Sequence, residues 1–164
     1  MSNLTEEERF FGNVQIMAEI VYDNINFLYS QGYSNISPVL VSLAVNILSS
    51  FDKVYLINGF IENSHIFWDS ILRRDEIFFI ENTATVFKYL PLEKVNLFKD
   101  LFTIRDKNGN IIISQEIKDQ LWDIFGAMVK ICIKYIIRMR KIEEYFFDEI
   151  DIKYHKTRWN INVV

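Results

Sequence analysis

Three groups of side chains have types and spacings that could do chemistry. His65 and Asp69 lie one helical turn apart, with Arg73, Arg74, Asp75 and Glu76 just beyond. A histidine and a carboxylate at that spacing can share a metal ion or a proton. The only other histidine is His155, and no further ligand stands nearby in sequence, so Asp69 with Arg73 reads more simply as an ion pair on a helix surface. Asp106, Asn108, Asn110 and Glu116 place oxygen side chains at short intervals around Gly109, as a hard cation requires. Lys130, Lys134, Arg138 and Lys141, thickened by Arg140, form a basic row on one helical face that could follow a phosphate backbone. The same row also suits a solvated helix face, with Arg138, Arg140 and Lys141 well placed near a C-terminal end. The sole cysteine, Cys132, sits in an apolar pattern and is expected to be a buried small hydrophobe rather than a nucleophile.

These groups need a scaffold, and the sequence organises one around the stretch 114–147. Apolar residues recur there in steps of three and four: Ile117, Leu121, Ile124, Met128, Ile131, Tyr135, Met139, Ile142 and Phe146. A second row (Trp122, Phe125, Val129, Cys132, Ile136) lies beside the first. An apolar arc this wide needs neighbours on more than one side, which suits the central helix of a bundle.

Thr5 with Glu8 three residues on is a capping-box pattern, and Phe10, Val14, Met17, Val21, Ile25 and Leu28 then mark an amphipathic helix stopped by Gly32. Ser37-Pro38 opens a second helix expected to run to about Glu62, loosened around Ser49-Ser50 and Gly59. Asn63 or Ser64 caps a short third helix through Ile71 and Leu72. Periodicity alone leaves Ile77–Ile80 open between strand and helix. Pro91 starts a further helix. Asn108-Gly109 between two β-prone runs then predicts a hairpin over about 102–113. The segment 150–164 alternates (Ile150, Ile152, Tyr154, then Trp159, Ile161, Val163) as a strand would.

Composition narrows the classes. A chain of 164 residues, half of them hydrophobic, is long enough for one domain with a real core. Five glycines and two prolines argue against an all-β design. A net charge of −4 weakens any general attraction to nucleic acid or anionic lipid. The acidic start and the lack of an 18–20-residue apolar run predict no targeting segment, no membrane span and a cytoplasmic protein. Aromatic residues are in excess, among them Phe78, Phe79 and Phe146. Tyr145, Phe147, Trp159, Ile161 and Val163 are candidate interface residues, since large rings contribute most to binding at interfaces.

Two resemblances accompany this reading. The stretch from Asp106 to Glu116 resembles part of an EF-hand calcium loop. Ile111 stands where the turn glycine is needed, however, and Glu116 arrives one residue early. In composition, rich in Ile, Asn, Phe and Tyr, the chain resembles small uncharacterised proteins of large AT-rich DNA viruses, which would place it in the host cytoplasm or the virion. That likeness transfers no functional residue.

The expectation is therefore a mainly α, single-domain bundle (1–164) of five or six helices around a long central helix, with one small hairpin and a C-terminal strand. The expected function is non-catalytic: an interaction or assembly protein acting through a helical surface, with a protein partner or itself as a homo-oligomer, and with no cofactor or metal. The alternative is a nucleic-acid-associated protein using Lys130, Lys134, Arg138, Arg140 and Lys141.

Overall fold

The computed structural model describes residues 3–33, 37–86, 101–139 and 149–161. Among these the fold is mainly helical: α1 (Glu6–Ser30), α2 (Pro38–Ser49), α3 (Lys53–Ser64), a 3-10 turn (His65–Phe67), α4 (Trp68–Leu72), α5 (Glu76–Val86), α6 (Gln115–Met139) and α7 (Glu149–Arg158). These seven α-helices among the described residues exceed the five or six expected, because a serine pair splits one of them and the C-terminal segment adds another. Ser49 and Ser50 donate their hydroxyls to the carbonyls of Asn46 and Ile47 at 2.7 Å, ending α2. Asp52 then caps α3, its carboxylate accepting from the amides of Val54 and Tyr55 at 2.8 and 3.1 Å.

Helix α1 follows its sequence pattern closely. The Thr5 hydroxyl accepts from the amide of Glu8 at 3.2 Å, and Phe10, Val14, Met17, Val21, Ile25 and Leu28 are all fully buried. At the far end Gly32 adopts φ +77°, and the amide of Tyr33 reaches back to the carbonyl of Leu28 at 2.8 Å, a Schellman closure. Helix α1 packs on α6, α2 and α3. Ser64 is a correction: it makes no side-chain cap. Its hydroxyl is buried, donating to the Phe60 carbonyl at 2.5 Å and accepting from the indole N–H of Trp68 at 3.0 Å.

The run Ile77–Ile80 is helical. Asp75 accepts from the Phe78 amide at 3.1 Å, and only one side of the run is inside, with Phe79 buried and Ile77 exposed. Phe79 anchors an aromatic cluster, its ring centroid 4.8 Å from Phe125, 5.0 Å from Trp122 and 5.8 Å from Phe102. Much of the aromatic excess is therefore core.

Central helix α6 is present, but its most buried line is the second apolar row. Trp122, Phe125, Val129, Cys132 and Ile136 are buried, together with Leu121, Met128, Ile133 and Tyr135. Ile117, Ile124 and Ile131 are only partly covered, and Met139 is exposed. The inner face is thus turned toward the second row, whose Trp122 and Phe125 pack on Phe79 of α5. Ile142 and Phe146 lie outside the described residues.

Two expectations of β-structure are corrected. Residues 101–103 are helical, the Ser114 hydroxyl accepts from the Ile117 amide at 3.3 Å, and the ten residues between them form no strand. A single antiparallel bridge, Arg105 to Ile111, forms instead. It closes a loop in which the Asp106 carboxylate accepts from the amides of Asn108 and Asn110 at 2.8 and 3.0 Å. Gly109 takes φ +81° there. Valine at 109 resists that conformation, so Gly109→Val is expected to lower stability by about 1 kcal/mol or more in a denaturant melt.

The C-terminal segment is helix α7, not a strand. Ile152, His155 and Trp159 are buried at helical spacing (i, i+3, i+7), and the histidine in the middle of that face disguised the period. The helix ends with Asn160 at φ +53° and the amide of Ile161 on the carbonyl of Lys156 at 2.9 Å.

Candidate functional site

Folding brings the two histidines together. Helix α7 lies against the corner between α3 and α4, and His155 packs edge-on against the Trp68 ring with centroids 5.1 Å apart. Asp69 is the polar centre of this contact. Tyr154 donates its hydroxyl to one Asp69 oxygen at 2.9 Å, and the Arg158 guanidinium stands 3.6 Å from the other. His65 turns its Nδ1 to the Ile61 carbonyl at 2.9 Å, which fixes the proton on that nitrogen. The pair expected between Asp69 and Arg73 is replaced by these longer-range partners, and Arg73 bonds the Ser70 hydroxyl at 3.3 Å. With one Asp69 oxygen hydrogen-bonded to Tyr154 and the other facing the Arg158 guanidinium, the cluster fastens one helix to another. No group of three or more His, Cys, Asp or Glu among the described residues is placed to hold a metal ion. Cys132 is buried, and burial pushes its thiol well above the usual range, so it holds no thiolate to attack with.

His155 gives this contact a pH dependence. Burial pushes its pKa below 6.5, against the pull of Asp69 and Asp151 and with a smaller push from His65. The unfolded chain therefore binds the proton more readily than the folded one, and stability is lost as pH falls from the unfolded value toward the folded one. A melting temperature that declines below pH 6.5, with the decline reduced in His155→Leu, is the expected result. An unchanged slope in the variant would assign the decline to other groups.

The basic row is only partly available. Lys130 and Lys134 are exposed on α6. Arg138 is engaged by the first turn of α1, bonding Glu6 at 2.6 Å and also Glu7. Arg140 and Lys141 lie outside the described residues. Lys130 also edges a cleft of about 310 Å³ with Arg74 and Arg158, floored by Trp122 and Trp159. Arg74 is tied to Asp123 and, at 3.6 Å, to Asp119, while Arg158 stands by Asp69. Two helices, α4 and α7, end at this cleft, and the carboxylates of Asp69, Asp119 and Asp123 hold the two guanidinium groups beside it.

Of the candidate interface residues, Trp159 and Ile161 are buried in the protein's own core and have almost no side-chain surface to offer a partner. Tyr145, Phe147 and Val163 lie outside the described residues. The exposed apolar surface is elsewhere. Val39, Leu43 and Ile47 follow one another at i, i+4 and i+8 along α2 and are 66%, 53% and 48% exposed. All twelve residues of α2 are uncharged, and Val41 faces inward against α1. Beside this ridge runs a groove along the α1–α2 seam. It consists of two adjoining hollows of about 410 and 360 Å³ that share Ala18, Glu19 and Val45 as walls. Its far rim carries Ile16, half-exposed on α1. The sequence contained this signal, a proline-started helix without a single charge.

No protein-family description, curated protein or solved structure matches this chain. No helix among the described residues is long and apolar enough to cross a membrane.

Proposed function

We propose that this is a non-catalytic interaction or assembly protein that acts through a helical surface, the outer face of α2. The observation that carries the reading is the exposed Val39–Leu43–Ile47 ridge on an uncharged helix. A soluble domain gains nothing for its own fold from three large apolar side chains in water, and such contiguous patches mark binding surfaces. The polar cluster at Asp69 and the cleft at Lys130 both have structural accounts, whereas the ridge has none among the described residues. The basic row supports the nucleic-acid alternative less well, since Arg138 already spends its charge on Glu6 and Glu7.

The test compares Leu43→Glu with Lys130→Glu/Lys134→Glu, both at exposed positions where the fold should persist. Tagged full-length chains are presented to extract of the native cell, and self-association is followed by light scattering. Complexes or oligomers lost only with Leu43→Glu support the reading. Loss only with the lysine pair, together with a steep fall of DNA binding as salt rises, would replace it with the nucleic-acid alternative.

A further inference from the structure

We infer that the cleft between α4, α6 and α7 binds a small organic phosphomonoester through Arg74, Lys130 and Arg158. No residue of the α2 face takes part. The lining sets these three basic side chains against one acidic one, Asp123, a local charge of +2 on a chain of net charge −4. Asp69 and Asp119 temper that field from outside the lining, each 3.6 Å from a guanidinium nitrogen. A cleft lined by one sign of charge focuses its field on whatever enters. A phosphomonoester answers it with a charge of about −1.5 to −2 at neutral pH, and the guanidinium fork matches phosphate oxygens in pairs.

The ion pairs account for where the two guanidinium groups stand, but not for what remains unused. Lys130 is exposed at the cleft with no ion-pair partner among the described residues. Arg158 approaches Asp69 at a distance too long for a hydrogen bond, so its donors are still to be satisfied.

The backbone points to the same place. Arg74 and Asn160, at φ +54° and +53°, are the two non-glycine residues of the described chain in the left-handed region, and both line this cleft. Each follows the last turn of a helix, where glycine is favoured. Asparagine tolerates that conformation, whereas arginine is strained in it, and strain of this kind collects at ligand clamps. What Arg74 supplies there and glycine would not is a guanidinium group, 45% exposed beyond its hold on Asp123.

Trp159 lines the cleft as well. It is 3% exposed, and its indole N–H has no acceptor among the described residues. Buried donors are nearly always matched, and an oxygen-rich ligand beside the ring would match this one. Leu72 and Ala127, both half-buried, give the organic part an apolar wall. A volume of about 310 Å³ stands at the small end of ligand sites and selects a small molecule.

The test titrates phenyl phosphate and glycerol phosphate into the full chain, with phenol and glycerol as uncharged controls. The three indole N–H signals are followed in nitrogen–proton correlation spectra, and Trp159→Phe identifies that of Trp159. The expected result is saturable binding of at least one phosphate and of neither control, with the Trp159 signal moving and that of Trp68, outside the cleft, staying in place. Arg74→Gly, Lys130→Gln and Arg158→Gln should each weaken binding about tenfold or more, as loss of one charge-assisted contact does. Glycine suits the backbone at 74, so Arg74→Gly should melt near wild type and its loss of binding cannot be ascribed to misfolding. Lys134→Gln makes the same charge change one turn along α6, outside the cleft, and should leave binding unchanged.

No saturable shift with either phosphate overturns the proposal. Equal weakening by Lys134→Gln does so too, since the attraction would then be general. Binding that leaves the Trp159 signal fixed, or that the three cleft variants do not affect, would place the ligand elsewhere and overturn it. Binding of an oligothymidylate without a terminal phosphate, and of neither phosphomonoester, would overturn it in favour of the nucleic-acid alternative.

Discussion

Val129→Asp is expected to leave the protein insoluble or molten, with helical signal but no cooperative melt. Val129 is fully buried on the second apolar row of α6, between Phe125 and Cys132. A carboxylate there has no partner, and the effective cost of burying one unpaired charge is several kcal/mol. Native domains have only about 5–15 kcal/mol to lose, so this single change removes a large share. Two controls on the same helix locate the inner face. Ile131→Asp, at a half-buried position, should lower the melting temperature yet leave a cooperative transition. Lys134→Glu, at an exposed position, should melt like the wild type. Equal melts for Val129→Asp and Ile131→Asp would mean that α6 is rotated from the orientation described.

The helical class, α1 from its cap to Gly32 and the course of α6 all follow from spacing alone, because a 3.6-residue period over many turns has no competing explanation. Short segments were ambiguous. Ile150, Ile152 and Tyr154 alternate, but Ile152, His155 and Trp159 also make one helical face, and ten residues are too few for period to decide. The hairpin signal at Asn108-Gly109 correctly marked a tight turn. Strands do not extend on either side, because the Asp106 carboxylate holds a five-residue loop, 106–110, within the one bridge at Arg105 and Ile111. At the candidate site the limit was different. The α2 ridge was visible as an uncharged apolar helix, but sequence does not say which apolar face lacks a neighbour. Likewise Asp69 was singled out, while its partners Tyr154 and Arg158 stand some 85 residues away along the chain and are joined to it only by the packing of α7.

The same non-locality explains a charge that the apolar arc of α6 conceals. Lys118 lies inside that arc, its side chain 5% exposed, and its ammonium group donates to Glu76 of α5 at 3.0 Å while standing 5.5 Å above the Phe102 ring. Glu76 is far more open, with 35% of its side chain in solvent. The two ends of this bridge are therefore unequal, and so should be the effects of removing them. Glu76→Leu strands an ammonium group in a nearly dry site, with the face of Phe102 as a partial substitute worth about 1 kcal/mol. Breaking a buried pair from one side typically costs about 3–5 kcal/mol, so a loss of about 2–4 kcal/mol is expected here. Lys118→Met removes the buried charge and keeps an unbranched apolar stem beside Phe102. The carboxylate it leaves behind can turn to water, and stability should change by no more than about 1 kcal/mol. The double variant should recover most of what Glu76→Leu loses, a coupling that urea melts of the four proteins measure directly. Equal losses in both single variants would show that the ammonium group reaches water, and that the interior between α5 and α6 is more open than the packing of Phe79, Phe102 and Trp122 implies.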